Sequence, residues 1–236
     1  MDLIISGGVV VTAADTFRAD VGIAGGRIVQ LGADLPRTEG CRVVDANGAY
    51  VFPGGVDPHT HLDGRGQGTR TADDFRSGTI AAACGGTTSI VDFCFPAEGQ
   101  SLLSGLEEWQ GRARRGAVVD YAFHAGVLDE SDAIQEEIPR LRDAGVSTLK
   151  IFMAYKGGYM VSDWTLYRTL QCAAGQGALV LVHAENGDAV ALRERALLAA
   201  GKTAPKYHAC ARPPRVEAEA TARAIALAEL AEAPLY

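Results

Sequence analysis

The chain is 236 residues long, room for one large domain or one and a half of ordinary size, and its 47% hydrophobic and 22% charged residues exclude disorder, collagen-like repeats and a coiled coil. With 22 Lys plus Arg against 29 Asp plus Glu the net charge is −7, and an acidic chain without a basic cluster is no partner for nucleic acid or an anionic membrane surface. No apolar run approaches the roughly 18 residues of a membrane span. The first residues show no secretory or transit pattern, and the five cysteines, odd in number and without C-x-x-C spacing, read as reduced, buried thiols, so a cytoplasmic protein is expected.

Residues 1–52 are rich in β-branched side chains and punctuated by Gly and Asn. Strands are predicted at Leu3 to Ile5, Val9 to Thr12, Asp20 to Ile23 and Arg27 to Leu31, the last two joined by a tight turn at Gly25-Gly26. Asn47-Gly48 predicts a second hairpin between Val43-Val44 and Tyr50 to Phe52. Together these make a small antiparallel sheet ahead of the main domain.

From Pro53 to Tyr236 apolar strands alternate with helical patterns. Strands are predicted at Gly55 to His59, Thr87 to Phe93, Tyr121 to Val127, Thr148 to Met153 and Ala178 to His183. Thr71-x-x-Asp74 opens a helix ending at Gly85-Gly86; Ser101, Ser131 and Ser162 open three more, and two helical stretches near Asp188 to Ala200 and Arg215 to Ala231 follow. Repeated β-then-α units with continuous apolar strands indicate a parallel sheet covered by helices. An eight-stranded barrel takes about 250 residues. With five units present and Pro234-Leu235-Tyr236 reading as the start of a sixth strand, the expected architecture is a (β/α)8 TIM barrel cut after about five units. A complete doubly wound sheet is the alternative, but no glycine-rich phosphate loop follows an early strand.

Asp57-Pro58-His59-Thr60-His61 ends the first barrel strand. On extended backbone, residues i and i+2 point the same way, so His59 and His61 project together and supply half of a divalent metal site at the end of the barrel where ligands gather; two surface histidines are the plainer reading. His183 ends the fifth strand at the same barrel edge, where it either ligates or makes a structural hydrogen bond. Lys150 lies inside an apolar strand and must snorkel, pair with a charge or lose its proton. A neutral amine there can react with carbon dioxide to give a carbamate, whose two oxygens suit a pair of metals. His124 reads as a hydrogen-bonded core residue and His208 as one that orders its loop. Asp63, Asp73, Asp74 and Asp92 are candidate partners for imidazole N–H groups.

Phe52 to His61, Thr71-Ala72-Asp73-Asp74-Phe75, Gly85-Gly86-Thr87-Thr88, Leu149 to Lys156, Val182 to Asp188, Tyr207-His208-Ala209 and Arg212-Pro213-Pro214 together resemble the dihydropyrimidinase and D-hydantoinase family of metal-dependent cyclic amidohydrolases. The resemblance implies a distorted β/α barrel from residue 53 onward and places residues 1–52 in a small β-sandwich. It implies two divalent ions, zinc, with His59 and His61 on one, carboxylated Lys150 bridging both and His183 on the second. Tyr155 matches the tyrosine that hydrogen-bonds the substrate carbonyl and the developing oxyanion.

The implied reaction opens the cyclic amide of a dihydropyrimidine or hydantoin by attack of a metal-bridging hydroxide. The implied full-length protein is a cytoplasmic homodimer or homotetramer acting on a small cyclic ureide or imide. The family's remaining metal-binding His and its proton-carrying Asp are expected beyond Tyr236, so residues 1–236 are expected to lack part of the active site. Gly64 to Gly68 departs from the more apolar family segment. An allantoinase or dihydroorotase-like enzyme and a non-catalytic scaffold or fragment are the alternatives; joint retention of His59, His61, Lys150 and His183 disfavours the scaffold.

Overall fold

β1 (Leu3–Val11) is one continuous strand where the sequence predicts two, because its ladder absorbs a shift between Ile5 and Gly8 instead of breaking. Gly7 sits at this bulge with φ +68°, a left-handed conformation that glycine adopts without steric cost. β1 pairs antiparallel with β2 (Thr16–Ala24), and β2 with β3 (Arg27–Gly32) across Gly25-Gly26, whose φ values of +56° and +72° suit the expected tight turn.

The second predicted hairpin does not form. β4 (Arg42–Asp45) and β5 (Tyr50–Val51) both run parallel to β1, against Leu3–Ser6 and Val9–Val10 respectively. Asn47 and Gly48 have φ +46° and +78°, and the Gly48 N–H donates to Gly7 O at 2.8 Å. Two left-handed residues reverse a chain only when the flanking segments pair with each other; here both segments pair with β1, and the dipeptide is a kink level with its bulge. The five-stranded sheet is therefore mixed, not antiparallel throughout.

The computed structural model describes residues 1–66 and 68–236, in two compact units, Met1–Gly55 and Val56–Tyr236. In the second unit β6 (Gly55–Thr60), β9 (Thr87–Cys94), β10 (Asp120–Gly126), β11 (Thr148–Phe152) and β12 (Leu179–His183) match the predicted strands to within a residue at each end. They form one sheet in the order β6-β9-β10-β11-β12, and β9 to β12 run parallel. A short ribbon of β7 (Arg65–Gly66) and β8 (Thr69–Arg70) follows β6. Leu235 bridges in parallel to Val180, with the Tyr236 N–H donating to Val180 O and the Val182 N–H to Tyr236 O, both at 2.9 Å. This pairing is the sixth-strand start predicted for Pro234-Leu235-Tyr236.

The helices are α1 (Phe75–Cys84), α2 (Leu102–Gly116), α3 (Asp132–Asp143), α4 (Asp163–Gln176), α5 (Gly187–Ala199), α6 (His208–Ala211) and α7 (Pro214–Leu230). Ser101 and Ser162 cap α2 and α4 as predicted, each accepting a backbone N–H three residues on. α1 is capped by Asp74 and not by Thr71. Asp74 accepts the Ser77 N–H at 2.7 Å while the Ser77 hydroxyl accepts the Asp74 N–H at 3.1 Å; Thr71 is held by Gly64 and Asp73 in the preceding loop. The 3-10 turn Pro205–Tyr207 and α6 have no counterpart in the sequence expectation.

β11 shows how the layers sort. Leu149 and Ile151 alternate onto the face that packs with Leu141, Leu166 and Leu170 of α3 and α4, each such burial contributing roughly 1.5–3 kcal/mol. Lys150 takes the opposite face. All five cysteines are free, but only Cys94 is buried; Cys84 and Cys210 are exposed on α1 and α6, where a small thiol on a helix surface costs little, and Cys41 and Cys172 are half-buried. Among the described residues no helix is long and apolar enough to cross a membrane.

Candidate active site

At the C-terminal end of β6 the His59 and His61 rings lie with centroids 5.3 Å apart, and both pack on Phe93 of β9, at 4.6 and 4.8 Å. Alternation sends the intervening Thr60 the other way, where its hydroxyl donates to Asp92 Oδ2 at 2.7 Å; the Leu62 N–H donates to the same oxygen at 2.8 Å. His124 on β10 has Nδ1 2.5 Å from Thr148 Oγ1 and Nε2 2.9 Å from Pro58 O. With both nitrogens engaged, it is the hydrogen-bonded core histidine expected from the sequence.

Lys150 is 7% exposed, with Nζ 4.8 Å from the Phe152 ring centre and 5.8 Å from that of Phe93. Burial lowers its pKa to about 8, and no neighbouring charge offsets that effect. His59 and His61 touch solvent, yet the protein crowding them disfavours the imidazolium, and the Lys150 charge acts in the same direction. Both imidazoles are therefore biased toward the neutral form, the form that binds metal.

His59, Lys150 and His183 line one cavity of about 530 Å³ together with Tyr155, Glu185 and Arg212; His61 stands beside His59 outside this lining. Tyr155, in the loop after β11, is held at φ +67°, with its ring centre 5.1 Å from that of His183 and 5.3 Å from Arg212 Cζ. Burial raises its phenol pKa, which keeps the hydroxyl a hydrogen-bond donor. His208, the first residue of α6, also lines the cavity.

None of the four aspartates proposed as imidazole partners takes that role. Asp92 holds Thr60 and Leu62, Asp63 pairs with Arg70, Asp73 accepts from the Ser77 hydroxyl and Asp74 caps α1. The carboxylate that meets a histidine is Glu185, with Oε2 2.6 Å from His183 Nε2, and Arg212 reaches that carboxylate from 27 residues away. Sequence reasoning gave neither residue a role. The available signal was the i, i+2 placement of Glu185 after His183. Gln67, in the atypical Gly64 to Gly68 stretch, lies outside the described residues.

Among the described residues no three His, Cys, Asp or Glu side chains are grouped as a metal cage. The donor chemistry nevertheless fits a divalent ion: two imidazoles two residues apart, biased to neutrality, with a third imidazole and a buried amine in the adjoining cavity.

Residues 42–94 match the model of the Amidohydrolase family. The D-hydantoinase of Ralstonia pickettii is 52% identical over 100% of this chain and 51% of its own length. The dihydropyrimidinase of Rattus norvegicus is 43% identical over 99% of this chain and 46% of its own. The crystal structure of dihydropyrimidinase from Brevibacillus agri superposes with a TM-score of 0.96 at 52% identity, covering 100% of this chain and 51% of that one. The chain belongs to the hydantoinase and dihydropyrimidinase family. It spans about half the length of the curated relatives it matches. Family membership also makes the fold class a TIM barrel, of which the β6-β9-β10-β11-β12 sheet is the portion present.

Proposed function

We propose that the chain carries metal-centre residues of a hydrolase that opens the cyclic amide bond of dihydropyrimidines or hydantoins. The observation that supports this best is the single cavity shared by His59, Lys150, Tyr155 and His183. In this reading residues 1–52 are part of a small β-sandwich and 53–236 part of the catalytic barrel. The substrate is a small cyclic ureide or imide, the working protein is a cytoplasmic homodimer or homotetramer, and neither nucleic acid nor a membrane is a partner.

His59 and His61 would hold one divalent ion, zinc in this reading, and His183 the second. Bound there, the ions would supply Lewis acidity and a water-derived nucleophile near neutral pH. The Lys150 amine would add to carbon dioxide, forming a new N–C bond and releasing one proton, and the resulting carbamate would supply anionic oxygen donors to the ions. Its buried position, with a pKa lowered to about 8, enlarges the share of nucleophilic neutral amine. Tyr155 donates its hydroxyl hydrogen to the substrate carbonyl oxygen as negative charge builds there. A preorganised donor of this kind contributes roughly 2.7–4 kcal/mol to the transition state.

Zinc content of the purified chain, prepared with and without bicarbonate, tests the reading. Zinc loading should rise with bicarbonate, fall in Lys150→Ala and in His59→Ala, and recover partly in Lys150→Ala when a short carboxylic acid is added. Wild-type zinc content in both variants would overturn the proposal.

A further inference from the structure

Glu185 stands at the centre of a chain of polar contacts that joins three parts of the fold. Its Oε2 lies 2.6 Å from His183 Nε2 at the end of β12 and 2.5 Å from Nη1 of Arg212, which follows α6. Arg212 extends the chain through Nη2 to Glu194 Oε1 of α5 at 3.2 Å, while its guanidinium carbon lies 5.3 Å from the Tyr155 ring centre. The Arg212 and Glu185 side chains are only 14% and 15% exposed. The pair is thus sheltered from water and salt, unlike an ordinary surface ion pair.

An ionised carboxylate only accepts hydrogen bonds, so the His183 nitrogen facing it carries the hydrogen. A neutral imidazole with hydrogen on Nε2 has its lone pair on Nδ1 alone. Without the carboxylate, the two tautomers of His183 would compete, and only one of them would offer that lone pair.

We propose that Glu185, clamped by Arg212, is a positioning residue that holds His183 as the Nε2–H tautomer and so leaves Nδ1 as the donor for a divalent cation. This rests on the reading of His183 as a metal donor. The carboxylate does not touch the reacting atoms; it acts by selecting the tautomer and orientation of the ring that does the binding. Arg212 prevents the carboxylate from swinging away and places its own charge against the Tyr155 ring, so one side chain steadies two of the residues lining the cavity.

The test uses the metal-free chain labelled with 15N in histidine. Long-range 1H–15N correlation spectra read the tautomer at neutral pH, with the His183 signals assigned from a His183→Ala chain, and calorimetric titration with zinc alone reads the affinity. Wild type should show His183 as the Nε2–H form. Glu185→Ala should mix the tautomers and weaken zinc binding by about tenfold to a hundredfold, the usual loss when the partner of a metal-bound histidine is removed. Glu185→Gln, whose amide oxygen still accepts from Nε2–H, should keep the tautomer and most of the affinity, a rescue that a merely structural role of the negative charge does not predict.

A wild-type spectrum with hydrogen on Nδ1 would overturn the proposal, and so would unchanged tautomer and affinity in Glu185→Ala. Because the wild-type spectrum is decisive by itself, the idea stays refutable even if Glu185→Ala fails to fold. Unchanged zinc affinity in His183→Ala would overturn the metal-donor reading instead, separately from the tautomer result.

Discussion

The Thr60 hydroxyl donates to Asp92 Oδ2 at 2.7 Å, tying the residue between His59 and His61 to a carboxylate with no exposed surface. Burial raises the Asp92 pKa to about 7, against hydrogen bonds from Leu62 and Thr60 that pull it down. Because the folded chain binds this proton more tightly than the unfolded chain, whose aspartate titrates near the ordinary value of about 4, the Asp92 contribution to stability falls as pH rises from about 4 to about 7 and levels off above. Asp92→Asn keeps an acceptor without the titration. In urea melts of the metal-free chain the stability of Asp92→Asn relative to wild type should therefore rise across that window; a difference independent of pH would show that Asp92 does not titrate there.

Gly187 opens α5 where a methyl group has no space. A Cβ there would stand 2.6 Å from Met160 Sδ, 2.8 Å from Met153 O and 3.0 Å from Ala154 Cα. Two of these neighbours are backbone immediately before Tyr155, and the Gly187 N–H donates to that same Met153 O at 3.1 Å. Gly187→Ala should destabilise the chain by about 1–3 kcal/mol, the range for overpacking a tight site, measured by chemical denaturation. A variant as stable as wild type would mean that the Met153–Tyr155 loop moves freely.

Tyr155→Phe removes one hydroxyl and leaves the ring against His183 and Arg212. If that hydroxyl meets the developing oxyanion, kcat in the active enzyme should fall by about a hundredfold or more, with a similar loss in kcat/KM and unchanged zinc content. A rise in KM alone would assign Tyr155 to ground-state binding.

Cys94 and Cys84 differ by ten positions and by their whole chemistry. Cys94 is fully buried at the end of β9 and its pKa is pushed up to about 12, chiefly by burial. Cys84 and Cys210 are exposed. Iodoacetamide at pH 8 should label Cys84 and Cys210 in the folded chain and leave Cys94 unmodified until denaturant is added. Peptide mass mapping checks the pattern, and rapid native labelling of Cys94 would contradict the packing of β9.

Features carried by near neighbours in the chain were legible in the amino-acid sequence. The five barrel strands appear as apolar runs, Ser101 and Ser162 announce helix starts, and the i, i+2 spacing of His59 and His61 puts both rings on one face of β6. These depend on backbone periodicity and on side chains capping residues three positions away, so adjacent letters suffice. Lys150 was legible for a related reason, since an amine inside an apolar strand is conspicuous without knowledge of its neighbours.

Tertiary structure alone decided which of several locally adequate partners each group takes. Asn47-Gly48 has the chemistry of a hairpin turn, but β4 and β5 both find β1, and the turn becomes a kink. Thr71 and Asp74 are both competent caps, and the loop contacts of Thr71 leave the task to Asp74. Asp63, Asp73, Asp74 and Asp92 were all plausible imidazole partners, but each is taken up elsewhere, and the fold brings Arg212 across 27 residues to the Glu185 carboxylate that meets His183. The physical reason is the same in each case. Hydrogen-bond donors and acceptors are interchangeable over short stretches of chain, and only packing decides which of them are buried together and must pair.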